Sequence, residues 1–176
     1  MPEKLTLDGI NRLGRDEFVA KLGSVFEGSP WVAQGAWGSR PFASFAELYG
    51  AMVGVVSEAP MERRMALIRA HPDLAGKAAL AGELTPESTG EQASAGLDSL
   101  TRGEYEAFTE INRTYRERFG FPMIVCVREH TKESILLSAR SRLWNSREEE
   151  VETALGEIAK IARLRLQDLV EREGGR

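Results

Sequence analysis

The stretch TRGEYEAFTEINRTYRERFG, residues 101–120, decides the fold class. Thr101 and Glu104 stand in the spacing of a capping box, in which each side chain satisfies a backbone N–H that the first helical turn leaves unpaired. Tyr105, Phe108, Ile111, Tyr115 and Phe119 then recur three and four residues apart, which places them on one face of a helix. Gly120 closes the run, because glycine adopts the left-handed backbone that ends a helix without steric cost. Start, stripe and stop agree, and the stretch reads as an amphipathic helix of the core.

The same grammar repeats on both sides. Asp16 opens a helix with Phe18, Leu22, Val25 and Phe26 on one face, ending at Gly28, and a turn-rich segment from Trp31 to Phe42 follows as short helix and loop. Ser44 and Glu47 cap a helix carrying Leu48, Met52, Val55 and Val56, and Pro60 suits the first turn of the next, whose inner face is Met61, Met65 and Ile68. That helix stops near Ala70, since His71 precedes Pro72 and a residue before proline is pushed out of helical geometry. A short helix is expected from Leu74 to Ala81. Thr85-Pro86 starts another that runs to about Leu97. Phe121 to Val127 reads as a buried, mostly extended connection; Thr131 to Trp144 as helix; and Ser146 with Glu149 as the cap of a last helix from Arg147 to about Arg172. The expectation is an all-α, compact single-domain bundle of about eight helices, one domain over residues 1–176 with its core at about 16–170.

Composition narrows the function classes. Charged residues make up 28% of the 176 positions and apolar ones 42%, which is enough to bury a core. The formal charge of -4 has the wrong sign for a chain that neutralises phosphates, so nucleic acid is not expected as a partner. No 18-residue apolar run occurs and the first residues lack a signal-peptide pattern, so no membrane contact and a cytoplasmic setting are expected. Two histidines and one cysteine, Cys126 in an apolar run, do not form metal-ligand spacing. No metal is expected.

Three placements suggest chemistry. His71 lies just beyond a helix end, where loops carry functional groups, and imidazole is suited to proton transfer near neutral pH. The alternative is a ring that only ties down the turn before Pro72. His130, between Glu129 and Thr131, reads as a solvated loop residue. In the Thr85 to Leu97 helix, Ser88, Glu91, Gln92 and Ala95 share a polar face, either the solvent side or the wall of a polar pocket. In the last helix, Val151, Leu155, Ile158, Ala162 and Leu169 form an apolar arc into which Arg165 falls. A guanidinium there must find a carboxylate or an anionic ligand, or else snorkel along the bundle edge. Arg163 points to the opposite side.

The string His71-Pro72-Asp73-Leu74-Ala75-Gly76-Lys77, followed by Thr85-Pro86-Glu87-Ser88-Thr89-Gly90-Glu91-Gln92 and then Phe119-Gly120-Phe121-Pro122-Met123-Ile124-Val125, resembles the OHCU decarboxylase family. Arg40-Pro41-Phe42 and the Ala154 to Leu166 helix extend the likeness, which covers about Asp16 to Val170. The departures are Met123, where phenylalanine is commoner, and Lys77. The resemblance implies a homodimeric lyase, free of cofactor and metal, that converts the small molecule 2-oxo-4-hydroxy-4-carboxy-5-ureidoimidazoline to (S)-allantoin and carbon dioxide. It implies His71, Glu91 and Arg165 as catalytic groups, with Arg165 expected to pair with Glu91 or a substrate oxygen. Substrate contacts are implied at Pro72, at Ser88, Thr89, Gly90, Glu91 and Gln92, and at Met123, Ile124, Val125, Cys126 and Val127. A non-catalytic helical binding module, or a lyase of the same family acting on a related ureide, are the competing readings.

Overall fold

The structure is a computed structural model that describes residues 2–172. Among these residues the chain forms ten α-helices: α1 (Leu7–Arg12), α2 (Arg15–Leu22), α3 (Trp31–Ala36), α4 (Phe45–Glu58), α5 (Met61–Ala70), α6 (Lys77–Leu80), α7 (Pro86–Ser94), α8 (Arg102–Phe119), α9 (Lys132–Arg142) and α10 (Arg147–Leu169). Short 3-10 turns occupy Trp37–Ser39 and Val127–Glu129. The all-α expectation holds. The count exceeds eight partly because α1, six residues long, is too short to display a period. Among the described residues no helix is long and apolar enough to cross a membrane.

The chain divides into two compact units, one of residues 1–70 and 159–176, the other of residues 71–158. In the first, α3 packs on α2 and α4. Ile10, Phe18, Leu22, Val32, Leu48, Met52, Leu67, Ile68, Ala162 and Leu166 are among its buried apolar residues. Its two ends are joined by backbone: Leu5 N–H donates to the Leu169 carbonyl at 2.8 Å, and Glu171 N–H to the Leu5 carbonyl at 2.9 Å. That pairing stops α10 at Leu169, short of the expected Arg172, because Val170 leaves the helix to form a parallel bridge with Leu5.

Three other boundaries move for local reasons. α2 ends at Leu22 rather than near Gly28, and the chain then closes through tight turns, with Val25 N–H on the Leu22 carbonyl and Ser29 N–H on that of Phe26. Val25 and Phe26 remain buried, so the expected face is present on a shorter helix. α6 covers only Lys77–Leu80, since Ala75 adopts a left-handed φ of 53° that no helix continues through. α7 stops at Ser94, where Gly96 with φ 77° turns the chain and Leu97 N–H returns to the Gln92 carbonyl at 2.9 Å. Met61, expected inside, is 48% exposed; it occupies the first turn of α5, beyond the packed region, and Leu67 is buried with Met65 and Ile68 instead.

The second unit is built on α8, which packs against α9. The expected capping box is complete: Glu104 N–H donates to Thr101 Oγ1 at 3.1 Å and Thr101 N–H to Glu104 Oε1 at 2.9 Å. The Thr101 N–H bond, ahead of that from Lys132, holds the Glu104 carboxyl below its ordinary pKa. Gly120 closes the helix at φ 80°. From its far end Tyr115 and Phe119 pack with Phe121, ring centroids 4.7 to 6.1 Å apart.

Inside this apolar cluster lies a buried ion pair, Arg142 with Glu150. The Glu150 carboxylate also accepts from the Tyr115 hydroxyl at 2.6 Å and from Asn145 Nδ2 at 3.0 Å. Burial, then the bond to Glu150, pushes the Tyr115 phenol well above its ordinary pKa, so it stays a donor. A buried pair is net favourable only when its remaining donors and acceptors are satisfied, and removing one partner strands a charge. Arg142→Met should therefore cost about 3–5 kcal/mol in denaturant unfolding, and Arg142→Met with Glu150→Leu less than the single change. A loss below about 1 kcal/mol for Arg142→Met would mean that the pair is not buried as described.

Candidate active site

His71 is the first residue after α5, and Pro72 keeps it out of the helix. The residue is only 8% exposed, and its Nε2 is shut off from solvent. His130, by contrast, is half-buried, its Nδ1 lying 3.0 Å from Ser134 Oγ at the start of α9.

Residues 71–76 carry no helical ladder, so their backbone groups need other partners. Leu74 and Ala75 are buried, and Ala75 takes its left-handed φ at a cost of roughly 1–2 kcal/mol. Side chains from two helices supply the partners. Gln92 of α7 accepts from Ala75 N–H through Oε1 at 3.0 Å and donates Nε2 to the Asp73 carbonyl at 3.3 Å. Asn112 of α8 donates Nδ2 to the Leu74 carbonyl at 2.8 Å. Arg116, one turn further along α8, pairs with the Asp73 carboxylate at 2.9 Å.

α7 begins as expected, Thr85 Oγ1 accepting from Ser88 N–H at 3.2 Å with Pro86 in the first turn. Its polar face turns inward: Ser88 and Gln92, one turn apart, are buried, and Glu91 beside them is half-buried. Of the two alternatives for this face, the pocket wall is the one the burial supports. Thr89 and Gly90 lie on the exposed side, the Thr89 hydroxyl donating to the Thr85 carbonyl at 2.9 Å. Having committed its carbonyl and one N–H to the loop, Gln92 retains a single N–H to offer a ligand.

α7 also packs against the Val127–Glu129 turn, which follows the buried segment 121–127. This segment is buried and non-helical up to Cys126, as expected, and has no strand partner among the described residues. Arg142 Nη1 donates to the Ile124 carbonyl at 2.6 Å, so the buried ion pair also fixes the stretch from Met123 to Val127. A cavity of about 530 Å³ adjoins the loop, with Ala75, Gln92, Leu97 and Tyr105 in its wall, and a smaller one of about 300 Å³ is lined by Asp73, Gly76, Asn112 and Arg116. The structure thus brings the His71 loop, the inner face of α7 and the start of the Val127–Glu129 turn into one unit.

Arg165 lies in the other unit. Like its partner's, its side chain is 5% exposed, and its Nη2 is 2.8 Å from Glu27 Oε2; Nη1 donates to the Ser24 carbonyl at 3.1 Å. The expectation of a buried guanidinium with a carboxylate is met, through Glu27 where Glu91 was expected, and the snorkelling alternative is not. Sequence reading did not single out Glu27, although a carboxylate directly after Val25 and Phe26 was a signal. Arg142 and Asn112 were missed as well. Arg142 follows Ile135 and Ala139 at helical spacing, so it too was a charge ending an apolar stripe.

Comparisons with known proteins show the family to which this chain belongs. The family model described as OHCU decarboxylase matches residues 11–167. A 2-oxo-4-hydroxy-4-carboxy-5-ureidoimidazoline decarboxylase of Haloferax volcanii is 46% identical over 165 residues, 94% of this chain and 96% of that protein. The uric acid degradation bifunctional protein PucL of Bacillus subtilis is 39% identical over 96% of this chain, which spans 33% of that longer protein. Among solved structures, an (S)-allantoin synthase superposes with a TM-score of 0.74 at 28% identity, over 94% of this chain and 54% of that one. With a match that runs from the N-terminal helices into α10, the chain belongs to the OHCU decarboxylase family.

Proposed function

We propose that this decarboxylase converts 2-oxo-4-hydroxy-4-carboxy-5-ureidoimidazoline to (S)-allantoin and carbon dioxide in urate breakdown, with His71 as its proton-transfer group. The observation that carries the reading is the burial of His71 in a loop whose backbone is gripped by side chains, within a chain matched by the family model over residues 11–167. A proton-transfer group needs a fixed position more than an exposed one.

The chemistry asks for little else. The carboxylate leaves as carbon dioxide, its bonding pair forms a double bond to the neighbouring ring carbon, and the imine nitrogen takes the displaced pair and a proton. The hydroxyl on the first carbon then gives up its proton and becomes a carbonyl as that double bond opens. The neighbouring ring carbon is then protonated on one face. His71 takes or delivers a proton in this sequence, and Glu91 orients the imidazole or the hydroxyl. Ser88, the remaining N–H of Gln92 and backbone groups of the Met123 to Val127 stretch hold the ureido and ring amides, beside Pro72. The enzyme's part is enantioselection, since only a chiral pocket delivers that proton to one face.

His71→Asn should lower the rate of (S)-allantoin formation from freshly generated substrate by roughly 10²- to 10⁴-fold, read as circular dichroism of the product. Undiminished (S)-product would remove His71 from the mechanism. For Arg165 the informative change is Arg165→Lys, which keeps a charge opposite Glu27 but loses the planar fork. A fall in rate with the melting temperature kept would support a part in the reaction, and an unchanged rate would leave only the ion pair.

The same reading includes a homodimer. Leu137 in α9 and Trp144 just beyond its end, seven residues apart, are 65% and 89% exposed, large apolar side chains that a second copy could cover. Light scattering should give a dimer mass for the protein and a monomer mass for Leu137→Glu with Trp144→Glu. A monomeric wild type would end the dimer reading.

A further inference from the structure

A proton-transfer role for His71 leaves open what holds the imidazole in place. On one side His71 is joined to the end of α5; on the other, beyond Pro72 with its fixed φ, the chain is next tied to the body of the protein at Asp73, Leu74 and Ala75. These three residues are the ones held from α7 and α8. Gln92 belongs to the face already assigned to the pocket. Asn112 does not: it sits 38 residues from Leu74, on a helix the reaction does not otherwise use.

Asn112 is also an unusual residue for its position. It follows Ile111 and lies between Phe108 and Tyr115 at helical spacing, where a leucine would bury more apolar surface. Its Oδ1 is buried and accepts no hydrogen bond among the described residues. The amide is therefore half used, and the used half is the N–H that meets the Leu74 carbonyl at 2.8 Å. α8 is a firm base for such a contact, with a complete capping box at one end and a left-handed glycine at the other. Ala75, next to Leu74, keeps its positive φ only while its neighbours are held.

We propose that Asn112 is a positioning residue for His71, acting through the Leu74 carbonyl to fix the loop that presents the imidazole. It touches no reacting atom. This rests on the proton-transfer role of His71, and the test separates the two.

The protein has two histidines, so two imidazole signals report on the question directly when histidine is isotope-labelled for NMR. Asn112→Leu removes the donor while keeping bulk, and Asn112→Asp removes it while keeping shape. In both, the His71 signals should move and those of His130 should not. The kcat for (S)-allantoin should fall by about 10- to 100-fold with KM within about 3-fold, the pattern of a misplaced group and not of a lost binding contact. Asn112→Gln, which restores an N–H on a longer arm, should recover part of the loss. If Asn112→Leu does not fold, Asn112→Asp carries the comparison alone. An unchanged kcat with unmoved His71 signals, the only effect being a lower melting temperature, overturns the proposal. Should the wild type form no (S)-allantoin, the functional reading falls instead, and the NMR comparison still shows whether Asn112 governs the imidazole.

Discussion

A proline that follows a histidine at the end of a helix imposes the constraint from which the site is built. Pro72 denies His71 a place in α5, and the chain must then run through 71–76 without a helical ladder. Loops that leave a helix this way usually lie on the surface, where water serves their N–H and C=O groups. Here Leu74 and Ala75 are buried, so protein groups have to serve them. Gln92 and Asn112 do so, and the requirement explains why α7 and α8 turn amide side chains inward at positions that packing alone would give to apolar residues. Backbone satisfaction and placement of the imidazole are thus met by the same contacts.

The charges inside the molecule follow a related logic. Arg142 with Glu150, and Arg165 with Glu27, are each a guanidinium set at the apolar stripe of a helix and neutralised by a carboxylate from elsewhere in the same unit. Hydrophobic pairs of equal volume would cost less to bury, so stability alone is a weak account of them. What a hydrophobic pair could not do is donate to a carbonyl. Arg142 donates to Ile124 and Arg165 to Ser24, so each pair also fixes a stretch of backbone that has no secondary structure to fix it. Ile124 lies in the segment proposed to contact substrate, and on that proposal the Arg142 pair bears on function.

What could be read from the sequence divides along the range of the interactions. Caps are local, and those at Ser44, Thr85, Thr101 and Ser146 were legible because donor and acceptor lie within three residues. Stripes are legible as well, which is how Arg165 stood out. Boundaries set by something distant were not: the end of α10 depends on Leu5, and the shortness of α6 on a left-handed alanine that no propensity announces. Partners across the chain were the least accessible. Arg165 needed a carboxylate, but nothing in spacing chooses Glu27, 138 positions away, over any other. Asn112 was invisible for the same reason, since an asparagine in the middle of a helix looks like surface until its amide meets the Leu74 carbonyl.

The resemblance supplied His71 and Glu91 where physics alone left them ambiguous, and the structure adds the reason such a site can be assembled. α7 carries Ser88, Glu91 and Gln92 within a little over one turn, so a single helix brings three polar groups to one wall. Gln92 must share itself between that wall and the loop, which couples the loop after His71 to α7. A substitution in α7 can therefore act on the imidazole without touching it, and the separate hold from Asn112 on α8 limits that coupling. Two anchors on two helices resist a rotation of the loop that either one alone would allow, and delivery of a proton to one face of a planar carbon depends on that angle.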